Sequence, residues 1–204
     1  MGDYHVRFCE RLGVKFPLST RHKSVVCHLT KKRKLEEKIK IRPLKLSDKA
    51  ELAKLANNKK IWDNLRDYIP YPYTERDAEF FINLTKDKVP KQTFGIEYNG
   101  ELSGVIGLVV QKDVYQKSAE IGYWVGEPFW GNGIATKAVE LISKYGFDKL
   151  DLNRIFGGVF EYNITSMKVL EKNGYEKEGI FKNAILKNNK VYDEHCLVHN
   201  IEMY

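Results

Sequence analysis

The stretch SAEIGYWVGEPFWGNGIATKAVELISKY, from Ser118 to Tyr145, decides the fold. Its opening, Ser118 to Val125, alternates apolar and polar residues in the manner of a strand. Its close sets Ile134, Ala138, Leu141, Ile142 and Tyr145 on one helical face. Between them lies Trp130-Gly131-Asn132-Gly133-Ile134-Ala135, whose small residues let backbone amides approach a ligand just as a helix begins. A helix N-terminus carries roughly half a positive charge and several unpaired N–H donors, so it suits a pyrophosphate without needing a lysine. No G-K-[ST] closes the loop as in a Walker motif, and Thr136 stands where a dinucleotide fingerprint would put its third glycine. A packed turn is the competing explanation of a bare G-x-G.

Outward from this loop, Ile39–Leu44 reads as a first strand, and Ser47 with Asp48 offers a cap for a helix carrying Leu52, Leu55 and Ala56. Ile61–Tyr73, IWDNLRDYIPYPY, reads as a short helix and an extended loop. Thr74 and Asp77 have capping-box spacing before a helix expected to end near Lys88. Gln92–Tyr98 and Glu101–Val110 flank Asn99-Gly100, a type I′ hairpin signal. Arg154–Phe160 reads as a strand and Ile164–Lys172 as a helix closed by Asn173-Gly174. From Tyr175 onward strands turn near Asn188-Asn189.

The chain has 204 residues, 43% of them hydrophobic, which fits one core needing no disulfide or metal staple. Its net charge of +7 is uneven: residues 1–38 carry 10 Lys and Arg against 4 Asp and Glu, leaving +1 for residues 39–204. The expected organisation is a basic N-terminal arm over 1–38 and one folded domain over 39–204. A nearly neutral domain is a poor partner for a polyanion, so any RNA or ribosome contact falls to the arm, which otherwise is a solvated tail. Cys9, Cys27 and Cys196 lack C-x-x-C spacing, and His5, Cys9, His22 and Cys27 are too irregular for a zinc site, so no metal is expected. No apolar run approaches the ~18 residues of a membrane span, and residues 1–38 hold no continuous apolar signal core. A reducing, cytoplasmic location is the expectation.

The segments EIGYWV, PFWGNGIATKAVELISKYGF and RIFGGVFEYNITSMKVLEKNGYEKEGI resemble the acetyl-CoA-binding region of the GNAT superfamily of N-acetyltransferases. Gly133 and Ala135 match its Q/R-x-x-G-x-G/A signature, with Trp130 in place of the usual Gln or Arg. NLRDYIPYPYTERDAEFFI, Asn64 to Ile82, resembles the Rim-type branch, whose members acetylate ribosomal proteins. The resemblance spans residues 39–204. It implies a mixed α/β (α+β) fold: a twisted, largely antiparallel sheet of six to seven strands, splayed at the cofactor, with helices on both faces.

It implies acetyl-CoA as cosubstrate. The amides of Asn132, Gly133, Ile134 and Ala135 would hold the pyrophosphate, completed by Gly131 and Thr136, with Trp124 and Val125 beside the pantetheine arm. Asn163 and Ser166 match N-x-x-S near that arm, although Asn163 also reads as a helix N-cap. Glu120 becomes the candidate general base and Ser166 an assisting proton donor; an exposed strand position is the plain alternative for Glu120. Leu170 and Ile185 stand where relatives carry a Tyr and a carboxylate. Trp62, Tyr68, Tyr71 and Tyr73 are expected to wall the acceptor side or to anchor its loop. The expected acceptor is a protein N-terminal α-amine, with a polyamine, antibiotic or other small amine as runner-up. A non-catalytic CoA-binding or ribosome-docking module is the reading from another class.

Overall fold

β-Branched and aromatic runs supply seven strands, β1 Ile39–Arg42, β2 Thr93–Tyr98, β3 Glu101–Val110, β4 Ser118–Val125, β5 Arg154–Phe160, β6 Glu176–Lys187 and β7 Lys190–Asn200. They form one sheet in the order β1-β2-β3-β4-β5-β7-β6, parallel only between β4 and β5. Five α-helices accompany it: α1 Lys49–Ala56, α2 Lys59–Trp62, α3 Glu75–Lys86, α4 Ile134–Lys149 and α5 Ile164–Glu171. This computed structural model describes residues 38–201. The basic arm, with His5, Cys9, His22 and Cys27, lies outside them except for Lys38.

Local chemistry sets the turns and ends. Asn99 and Gly100 take φ of 54° and 89°, and Asn188 and Asn189 take 51° and 60°, the left-handed backbone that tight hairpins require. β1 stops at Arg42, short of the expected Leu44, because Pro43 has no N–H to donate. Asp48 stands at the N-cap of α1 but makes no cap bond there. Its carboxylate instead takes the Arg42 guanidinium at 2.7 and 2.9 Å and the Lys45 N–H at 2.8 Å, fastening β1 to the helix entry.

At α3 the capping box forms as the spacing predicts: Thr74 N–H donates to Asp77 at 2.8 Å, and Asp77 N–H donates to Thr74 Oγ1 at 3.3 Å. Thr74→Ala should therefore cost about 1 kcal/mol of stability, measured by urea unfolding, with acetyl transfer unchanged in the folded fraction.

Helices cover both faces of the sheet. Val105 and Leu102 of β3 bury against Leu52 and Ala53 of α1 and Ala78 and Ile82 of α3. Neighbouring Leu108 points the other way, against α4, where a Cβ on Gly146 would lie 2.8 Å from the Leu108 side chain. A bulge is what puts Leu102 on the same face as Val105: Ile96 pairs with Gly104 and Glu97 with Leu102, leaving Ser103 extra. Ser103 hydroxyl donates to Ile96 O at 3.0 Å and its carbonyl accepts from Gly126 N–H at 2.8 Å, which holds the end of β4 in place.

β4 and β5 pair at only three positions, Ser118 with Arg154, Ala119 with Ile155 and Glu120 with Phe156. Beyond Glu120, β4 continues alongside β3 to Val125 while β5 continues alongside β7 to Phe160. Each strand keeps its other neighbour and the two part. At the apex, Ile121 and Leu170 reach within 3.1 and 3.2 Å of where a Gly157 Cβ would stand. The sheet is thus opened at its middle.

Candidate active site

The opening leads to the loop that the sequence singled out. Gly131 and Gly133 take φ of 79° and 71°, a left-handed backbone that glycine alone adopts without strain. Gly133 is the N-cap of α4, and its carbonyl accepts the first helical bond, from Lys137 N–H at 3.1 Å. The N–H groups of the first helical turn have no carbonyl behind them. Asn132 folds back, its side-chain amide donating to Phe129 O at 3.1 Å and Trp130 O at 3.3 Å, so the loop presents backbone outward.

Trp130 has a structural task of its own. Its indole N–H donates to Val125 O at 2.6 Å, tying the loop to the end of β4. The tryptophan gives the loop a half-exposed ring and a fixed strap.

One cavity of about 780 Å³ runs through the opening. Trp124, Val125, Trp130, Gly131, Gly133, Ile134, Ala135, Thr136, Asn163 and Ser166 line it, as do Glu120 and Tyr68. Asn163 Oδ1 accepts from Ser166 N–H at 3.1 Å, so Asn163 is an N-cap and a cavity residue together. Ser166 Oγ is 2.9 Å from the Tyr123 hydroxyl. Burial pushes that phenol up to about 12, the bond to Ser166 drawing it partly back. Tyr123 therefore keeps its proton at neutral pH.

Past the apex a smaller cavity of about 280 Å³ shares Arg66, Glu120, Gly158 and Glu194 with the first. Arg66 is ion-paired with Glu120, and Arg154 with Glu178.

A strand-splayed sheet, a pre-bent glycine loop on a helix N-terminus and a through-going cleft meet in one place. Over residues 38–176 the chain matches the family model described as the acetyltransferase (GNAT) domain. The chain belongs to the GNAT acetyltransferases. It is 36% identical over 135 residues to the uncharacterized N-acetyltransferase YnaD of Bacillus subtilis, covering 65% of this chain and 78% of that one. It is 35% identical over 99 residues to YdaF of the same organism, provisionally named a ribosomal N-acetyltransferase, covering 48% and 54%. It is 29% identical over 147 residues to spermidine N(1)-acetyltransferase of Escherichia coli, covering 69% and 74%. The microcin C7 self-immunity acetyltransferase MccE, solved with acetyl-CoA and AMP, superposes with a TM-score of 0.70 at 26% identity, covering 82% of this chain and 95% of that one. This GNAT enzyme uses acetyl-CoA, and its cleft fits such a donor.

Trp62, Tyr68, Tyr71 and Tyr73, expected either to wall the cleft or to anchor its loop, divide between the two. Only Tyr68 lines the cavity. Trp62 turns away: its indole donates to Ile69 O at 2.8 Å, Tyr71 stacks on it at 5.5 Å, and Lys187 Nζ sits 3.4 Å from its ring centroid. Tyr73 packs against the α1–α3 core, where burial pushes its phenol up to about 12. Three of the four aromatics hold the loop rather than face its contents.

Two polar groups of the cleft escaped the sequence. Tyr123 lies within the alternating run of β4, and nothing local marks its bond to Ser166. Glu194 sits in an ordinary polar run of β7, and its entry into the cavity follows only from the register that sets β7 against Gly158. Cys196 is free and buried, and among the described residues no His, Cys, Asp or Glu cluster is placed for a metal. Among those residues, too, no helix is long and apolar enough to cross a membrane.

Proposed function

We propose that this acetyltransferase acetylates a protein N-terminal α-amine, of the kind found on ribosomal proteins. The observation that carries this is the charge balance at the acceptor end of the cleft. Glu120, Glu178 and Glu194 face Arg66 and Arg154, two of the carboxylates are closed by those guanidinium groups, and one negative charge remains. That balance suits a single ammonium group. A polyamine brings several positive charges and would favour more unpaired carboxylates. The chemistry agrees, since roughly a tenth of an α-amine is already neutral at pH 7 against about one lysine in 2,500. The name of YdaF supports the same acceptor. The name of the spermidine enzyme supports the second reading, a small polyamine.

In this reading the N–H groups of Asn132, Gly133, Ile134 and Ala135 grip the pyrophosphate of acetyl-CoA, and Gly131 and Thr136 complete the cradle. Trp124 and Val125 lie along the pantetheine arm, whose amides fill the place of the missing strand partner, with Asn163 opposite. The backbone from Trp124 to Gly126 polarises the thioester carbonyl. Ser166, backed by the Tyr123 phenol, protonates the departing thiolate, a group with a pKa of about 8.5 that needs little help. The ammonium proton leaves toward the carboxylate side, where Glu120 stands. Tyr68 meets the acceptor, while Trp62, Tyr71 and Tyr73 support its loop. The basic arm, residues 1–38, supplies any ribosome or RNA contact.

The test is an acceptor panel of N-terminal peptides, spermidine and an aminoglycoside with purified full-length protein. A peptide should exceed spermidine in kcat/KM by at least about tenfold, the worth of one well-matched charge contact. The reverse order would replace the acceptor named here. Deleting residues 1–38 should remove RNA or ribosome affinity without changing peptide turnover.

A further inference from the structure

Glu194 has no ion pair among the described residues, unlike Glu120 on Arg66 and Glu178 on Arg154. It stands on β7 opposite Phe160 of β5, and its side chain runs back over Gly158, where a Cβ would lie 2.2 Å from Oε1. A side chain at residue 158 would fill the space that the carboxylate occupies. Glu194 also lines both cavities, so it stands where the donor cleft meets the acceptor pocket.

We infer that Glu194 is the group that takes the proton from the acceptor ammonium, while Glu120, held by Arg66, positions that ammonium. The inference rests on the reading of the small cavity as the acceptor end. The amine's N–H bond breaks heterolytically, the proton going to a Glu194 oxygen and the electron pair staying on nitrogen. That pair forms the C–N bond at the thioester carbonyl, and the C–S bond breaks with its electrons left on sulfur. The second proton of the nitrogen balances the thiolate, passing through Ser166. The proton on Glu194 returns to water through the open acceptor mouth.

Geometry divides the two carboxylates in this way. Glu120 is already bonded to a guanidinium, and a proton arriving there would break an ion pair. Glu194 has no such bond to lose. The charged and titratable groups around it are Arg66 from the loop after α2, Glu120 from β4, Arg154 from β5, Glu178 from β6 and Cys196 from β7 itself. Burial pushes the Glu194 carboxyl above the usual carboxylate range; Arg66 opposes that and Glu120 adds to it. A base held closer to neutral pH matches its task better.

The experiment compares wild type, Glu194→Gln, Glu120→Gln and Gly158→Ala as full-length proteins, with an N-terminal peptide and with spermidine. Glu194→Gln should lower kcat about 100-fold or more and remove the limb of kcat that rises with pH, leaving the KM for acetyl-CoA unchanged. Glu120→Gln should raise the amine KM and keep that limb, moved to lower pH, because a like charge facing Glu194 has gone. Gly158→Ala places a methyl against the carboxylate and should lower kcat while the protein stays folded.

A readout without turnover accompanies these. A carboxyl raised by folding costs stability once the pH exceeds its folded value, and costs nothing below its unfolded value. Glu194→Gln should therefore melt above wild type at pH 8, by a margin that shrinks toward pH 4. If Glu194→Gln keeps kcat within twofold, or if the limb vanishes with Glu120→Gln instead, Glu194 is not the base. Should spermidine outrun the peptide, the acceptor reading falls, and the Glu194 profile is then judged on spermidine alone.

Discussion

Gly133→Val should weaken acetyl-CoA binding by about 100-fold, read by calorimetry with acetyl-CoA or CoA. Two effects add. A left-handed backbone costs an L-residue roughly 1–2 kcal/mol, and more for a β-branched one, so the φ of 71° at the N-cap of α4 would relax toward negative values. Relaxation turns the amides on either side of the cradle, and each N–H···phosphate bond lost is worth about 1.5–3 kcal/mol. Gly100→Val is the matched control. It sits at φ 89° in the β2–β3 hairpin and does not line the cleft, so it should lose similar stability and keep its affinity for CoA. Equal affinity in the two variants would show that the loop does not hold the pyrophosphate.

The same contrast explains what could be read from the sequence. The turn ahead of α4 was legible because glycine dictates φ locally: Gly131 and Gly133 fix it, and Asn99-Gly100 fixes the hairpin. Ser118–Val125, Arg154–Phe160 and the start of α4 were legible from periodicity, because a half-buried strand and an amphipathic helix repeat differently. The other end of the cleft depends on pairs far apart in sequence. Whether Trp62 faces a substrate or supports a loop turns on Ile69 O and on Lys187, the latter on β6. An aromatic, proline-rich stretch fits both outcomes, and only the tertiary contact selects one. The Glu194 carboxylate likewise enters the cleft only because β7 meets β5 with Gly158 beside it.

Lys187→Met should lower the melting temperature by roughly 4–8 °C and raise the amine KM, with CoA affinity unchanged. In sequence Lys187 is one more lysine beside an Asn-Asn turn, yet it is 2% exposed. Its ammonium donates to Leu65 O at 2.9 Å and Asp67 Oδ1 at 2.5 Å, and it sits over the Trp62 ring. Asn188 adds a bond to Asp63 at 2.9 Å, so the β6–β7 turn clamps the loop from Asp63 to Asp67. Asp67 is mostly exposed, and its ion pair is discounted for solvent. The buried bond to the Leu65 carbonyl and the cation–π contact remain, worth about 1–3 and 1–2 kcal/mol. Methionine recovers part of this by removing a buried charge and filling the same volume, which leaves a net loss of about 2 kcal/mol. At about 2–4 °C per kcal/mol for a domain of this size, the expected shift follows. The functional consequence is local. Freed from Lys187, the loop lets Arg66 and Tyr68 move in the cleft, while Gly131 to Thr136 keep their place at the start of α4. A variant that melts early but retains its amine KM would mean that the clamp serves the fold alone.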